Sequence, residues 1–101
     1  MLLGKVTGTI VATRKDEQLV GGKLHIVRLL TMEGKPTNKY IVAFDTVGVC
    51  EGEVVIVVKG SSARMTERTK TAPVDAAIVA IIDELEVKDR IVYKKSEETG
   101  K

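Results

Sequence analysis

The chain has 101 residues, the length of one domain, so two independent domains are excluded. Apolar residues make up 44% of it but aromatics only 3%, namely Tyr40, Phe44 and Tyr93, so the core is expected to be aliphatic. With 16 Lys and Arg against 14 Asp and Glu, the charge is too balanced to draw nucleic acid or an anionic membrane over distance, and neither is expected as a partner.

The apolar start Met1-Leu2-Leu3 is cut off by Gly4-Lys5, so no signal-peptide core is expected. No apolar run approaches the ~18 residues of a membrane span. Residues 3–13 alternate imperfectly and are rich in Val and Thr, which predicts a strand, with Gly4 and Gly8 marking bends or close backbone approach. A charged loop through Gly21-Gly22 leads to a second strand over residues 23–31. Glu33-Gly34-Lys35-Pro36 is turn chemistry, and a hairpin partner is expected at residues 40–45.

Gly48 and Gly52 bracket a turn before "VVIVV", residues 54–58. Unbroken β-branched residues predict a strand covered on both faces. In a small barrel one face looks inward, so the other is expected to need a neighbouring subunit. Residues 61–69 are the candidate for one short helix, capped by Ser61 or Ser62. Residues 76–87 fit helical spacing as well as strand spacing, but Ile78-Val79-Ala80-Ile81-Ile82 favours a strand, followed by a hairpin across Lys88-Asp89-Arg90 into residues 91–94. Five or six short strands and one helix predict a mainly β fold, a small closed β-barrel of the OB kind spanning residues 1–94, with a polar tail over 95–101 expected to fray.

Chemistry-bearing residues are sparse. Cys50 and His25 are the single cysteine and histidine, which excludes an intrachain disulfide, fits a reducing cytosol and gives too few ligands for zinc. His25 has no Ser or Cys beside it in sequence, and Cys50 stands next to Glu51 and Glu53, a setting that disfavours a thiolate. Asp83, Glu84 and Glu86 lie along a strand and do not converge as an acid/base pair must. Gly60-Ser61-Ser62-Ala63-Arg64 lacks the lysine and spacing of a phosphate loop, and in Gly34-Lys35-Pro36-Thr37 the proline deletes a needed N–H. No catalytic residue, metal or cofactor is expected. Two rival readings remain open: an OB-type single-stranded nucleic-acid module, weakened by the lack of aromatic stacking residues, and a small enzyme using Cys50 or His25.

Four stretches together go further: "GKVTGTIVAT" (from Gly4), "VAFDTVG" (from Val42), "GSSAR" (from Gly60) and "APVDAAIVAIIDE" (from Ala72). This chain closely resembles the vertex proteins of bacterial microcompartments, the EutN/CcmL family of carboxysome and metabolosome shells. The likeness runs over nearly the whole chain. It implies a β-barrel protomer in a cyclic pentamer that plugs the corners of a polyhedral shell in the cytoplasm, with hexameric shell proteins as partners and no enzymatic activity. Where relatives read Asp-x-x-Gly-Ala-Gly-x-Gly-Glu, this chain has Val49 and Cys50 in place of alanine and glycine, a bulkier loop.

Under that resemblance the subunit interface is expected to use Asp45, Val54, Ile56, Val58, Gly60, Ser61, Ser62, Ala63, Arg64, Pro73, Val74 and Asp75, with Arg64 pairing Asp45 or Asp75. Gly48, Val49, Cys50, Glu51 and Gly52 are expected near the five-fold axis or the rim.

Overall fold

The computed structural model describes residues 1–11, 22–66 and 75–97. Seven strands follow one another: β1 (Leu2–Ile10), β2 (Lys23–Leu30), β3 (Pro36–Asp45), β4 (Val54–Lys59), β5 (Ala76–Ile81), β6 (Glu84–Val87) and β7 (Arg90–Lys94). Short 3₁₀ helices occupy Gly60–Arg64 and Lys95–Glu97. The first five strands close into a barrel in the order β1-β2-β3-β5-β4, while β6 and β7 form a separate two-stranded sheet. The barrel pairs are antiparallel except for a brief parallel contact of β3 with β5, Phe44 opposite Ala77 and Asp45 opposite Ile78. This is the OB-like closed barrel that the strand pattern predicts.

Alternation along each strand fills the barrel with small aliphatic side chains. Val27, Ala43, Val55, Val57 and Ile78 are completely buried there beside Val6 and Ala76. Two bulges help a narrow sheet close, because an extra residue on one strand bends it and sharpens the local twist. Thr7 is the extra residue between β1 and β2, and Val79 between β5 and β4. Gly4 faces inward, where the Val27 Cγ1 methyl fills the space a Cβ would need.

Several elements differ from their sequence-based bounds. Strand β3 starts at Pro36, not near residue 40, because Pro36 pairs with Leu30 beyond a register slip and proline is tolerated as a strand's first residue. The one α-like helix expected over residues 61–69 is a 3₁₀ turn ending at Arg64; residues 67–69 lie outside the described residues. Residues 76–87 form two strands broken at Ile82-Asp83, where the Ile82 N–H bonds the Val54 carbonyl and the chain leaves the barrel. Lys95 is not a free tail residue: its N–H bonds the Asp83 carbonyl and its Nζ lies 2.6 Å from Glu53 Oε2.

Gly4→Ala drives a methyl into Val27 and should cost about 1–3 kcal/mol in urea unfolding. Gly8→Ala meets Ile26 at ordinary contact distance, 3.7 Å, and should cost clearly less.

Candidate functional site: the 45–53 loop and the outer face of the barrel

Strand β3 ends on Asp45, and the chain returns through residues 46–53 to enter β4. Gly48 and Gly52 take φ of 81° and 94°, a left-handed conformation that suits glycine. The Asp45 carboxylate organises the turn. Its Oδ1 accepts the N–H groups of Val47 (2.9 Å) and Gly48 (2.8 Å), and its Oδ2 accepts that of Val49 (2.8 Å). The far side of the loop is held to β1, with the Gly52 N–H on the Val6 carbonyl and the Val6 N–H on the Glu53 carbonyl. Val49 is thereby turned into the barrel core. Glu53 Oε1 accepts the Cys50 N–H at 2.6 Å while its Oε2 holds Lys95.

Behind Asp45, on the inward face of β2, lies His25. The two side chains are only 4% and 3% exposed, with His25 Nε2 3.3 Å from Asp45 Oδ2. That contact is not a hydrogen bond, so Nε2 is a buried nitrogen without a hydrogen-bond partner, whereas Nδ1 lies 3.3 Å from Thr9 Oγ1. Burial pushes the Asp45 carboxyl up, but the amides of Val47, Val49 and Gly48 and the charge of a protonated His25 outweigh it, holding Asp45 below the usual aspartate range. The Lys95 hydrogen bond, with the Cys50 amide, lowers Glu53, and the same bond to Glu53 raises Lys95.

Two of the three residues on the outer face of β4 are covered without a neighbour. Val54 and Val58 are buried within this chain, and Val58 belongs to a second small core with Phe44 of β3, Ala77 of β5 and Ala63 of the 3₁₀ helix. The expectation that a partner must cover this face is therefore overturned for those residues. The Gly60–Arg64 turn folds back over the barrel and inserts the completely buried Ala63 as a lid. Its start is fixed by Gly60, at φ 65°, whose N–H bonds the Asp75 carbonyl at 2.7 Å. Ile56 remains half-buried, and Gly60, Ser61 and Asp75 are exposed. Pro73, Val74 and the side chains of Ser62 and Arg64 lie outside the described residues.

The structure thus brings Asp45 together with loop residues 48–52, and separately brings Val58, Gly60 and Ala63 together. Within the chain Asp45 is engaged by its own loop and His25, while the Arg64 side chain, expected to pair Asp45 or Asp75, lies outside the described residues. Sequence reasoning missed Phe44 and Ala77 as the floor under Ala63, and Thr9 and His25 as the wall behind Asp45. Strand parity puts His25 with Val27, but cross-strand pairing alone brings Thr9 opposite His25.

Cys50 is exposed on the loop while the His25 ring is buried toward Asp45 and Thr9. Among the described residues, no group of three or more His, Cys, Asp or Glu could hold a metal, and no helix is long and apolar enough to cross a membrane. Of the aromatics, Phe44 is buried and Tyr93 half-buried. Tyr40 is exposed with the Arg28 guanidinium 5.5 Å over its ring, so no row of stacking surfaces is formed.

Residues 1–83 match the family described as "Ethanolamine utilisation protein EutN/carboxysome". The chain is similar to the carboxysome shell vertex protein CcmL of Nostoc sp., 44% identical over 97% of this chain and 98% of that protein. It is 48% identical to the microcompartment shell vertex protein GrpN of Rhodospirillum rubrum, over 85% of this chain and 97% of that one. Among solved structures, Gloeobacter violaceus CcmL superposes with a TM-score of 0.91 at 37% identity, covering 96% of this chain and all of that one. The structure described as the GrpN pentameric microcompartment shell protein from R. rubrum gives 0.75 at 47% identity, covering 86% and 98%.

Asp45→Ala removes the acceptor of three loop amides and should destabilise the fold by about 2–4 kcal/mol at neutral pH. Because Asp45 is lowered in the folded state, its contribution is complete above the ordinary aspartate range and fades as pH falls through the lowered value. Urea unfolding of wild type and variant should therefore converge as pH falls below about 4.

Proposed function

The chain belongs to the EutN/CcmL family, and from that premise we propose that it is the vertex piece of a bacterial microcompartment shell, five copies closing into a ring. The observation that carries this reading is likeness over almost the full chain to proteins described as shell vertex proteins, one of them pentameric. A flat lattice of hexagonal tiles cannot close, and pentagons at its corners supply the missing curvature. Its partners are then hexameric shell proteins, its place is the shell within the cytoplasm, and its role is structural, with no reaction of its own.

A five-fold ring repeats one heterologous interface until it closes. Half-buried Ile56, exposed Gly60, Ser61 and Asp75, together with Pro73, Val74, Ser62 and Arg64, form the surface we assign to that contact. Val54, Val58 and Ala63 support it from behind, since their own chain already covers them. The Asp45-organised loop, with Gly48, Cys50, Glu51 and Gly52 on its outside and Val49 beneath, is assigned to the axis or the rim.

Sedimentation should give the mass of five protomers at micromolar concentration; a strict monomer would overturn the ring. Ile56→Glu buries an unpaired carboxylate at each contact, at a cost of about 3–5 kcal/mol, and should shift the protein toward monomer. Arg64→Glu should weaken the ring in the same direction, and an unchanged pentamer would remove that residue from the contact.

A further inference from the structure

One buried group has no part in that role. His25 is 3% exposed, its Nε2 lacks a hydrogen-bond partner, and it stands 3.3 Å from the oxygen of Asp45 that receives the Val49 N–H. A buried ring nitrogen left unpaired costs free energy in the neutral state. With the ring neutral, Nε2 presents either an N–H that makes no hydrogen bond to Oδ2 or a lone pair against a carboxylate. When the ring is doubly protonated, Nδ1–H can donate to Thr9 Oγ1 and Nε2–H carries positive charge against Oδ2. The carboxylate, which already accepts three loop amides, is then held from behind by an opposite charge.

We propose that the His25–Asp45 contact is a proton-operated latch, in which uptake of a proton by the imidazole fastens the 45–53 loop to the end of the barrel. The charged groups around it favour one sign. Asp45 of β3 faces the ring directly, and Glu53, on the return of the loop, feels the charge of Asp45 while being paired with Lys95. On β2 itself Lys23 stands opposite Asp45 in register, exposed to solvent. Among the described residues, β1 brings the uncharged Thr9 to the ring, and the neighbours of the barrel core from β4 and β5 are aliphatic. The nearest charge is therefore the carboxylate, 3.3 Å from the unpartnered nitrogen.

The latch is a property of the single chain and stands whether or not five copies assemble. Histidine changes charge between about pH 5 and 8, so the loop tightens on the acid side of neutrality. It loosens again only in stronger acid, as Asp45 itself protonates.

The test is hydrogen exchange of the Val47, Gly48 and Val49 amides in the full chain, with wild type and His25→Gln compared at each pH so that intrinsic exchange cancels. The ratio of wild-type to variant protection should rise roughly three- to tenfold from about pH 8 to about pH 5.5. A flat ratio, or one that rises toward alkaline pH, would overturn the latch. If His25→Gln fails to fold, the wild type suffices, because it holds a single histidine whose ring resonances are unambiguous. Ring and loop amide shifts should then follow one common pH dependence, and a ring that changes charge while the loop signals stay still would equally refute the proposal.

Discussion

A five-stranded barrel encloses so little space that only small side chains fit inside it, and most of this structure follows from that restriction. The interior is filled by valine, alanine and isoleucine, with Gly4 where Val27 leaves no room for a Cβ. Closing so few strands demands strong twist, supplied by the bulges at Thr7 and Val79. Phe44, the chain's one phenylalanine, stands on the outer face of β3 and must find its cover there.

That placement explains the Gly60–Arg64 turn. A phenylalanine on β3 and Val58 on β4, on the outer surface to either side of β5, would be costly to leave wet, and a tight 3₁₀ turn carrying Ala63 is enough to seal them against Ala77. Glycine lets the chain reverse at once after β4, and an alanine is small enough to sit flat against the sheet. The turn is thus first a lid on its own barrel. Its exposed edge at Gly60 and Ser61, beside half-buried Ile56, is the part left to meet another copy.

Polar residues carry out the analogous task at the end of the barrel. The loop from β3 to β4 must present its backbone N–H groups without strand partners, and one carboxylate collects three of them. Those three donors, ahead of the charge of a protonated His25, hold the buried Asp45 below the usual aspartate range, and the loop, His25 and Thr9 meet at one place. The Lys95–Glu53 pair ties the β6–β7 hairpin to the same loop, although its exposed position makes it a weak contributor to stability.

The strands themselves were legible in the sequence, because β-branched runs and two-residue alternation are local properties: β2, β4 and β7 lie close to where the pattern puts them, as does the turn with Gly48 and Gly52. The family resemblance was legible too, carried by four contiguous stretches. What the pattern of residues 54–58 did not reveal was who covers its outer face. An apolar surface attracts any apolar surface alike, and periodicity records only that cover is needed. Phe44, Ala63 and Ala77 are separated along the chain and meet only through the β3–β5–β4 order. In the same way, Asp45 reads as a lone acid at a strand end until cross-strand register sets His25 and Thr9 behind it. The sequence by itself determined a small aliphatic barrel with its turns. Only the tertiary structure decided which faces it seals with its own residues, because that depends on contacts between segments whose separation no local pattern encodes.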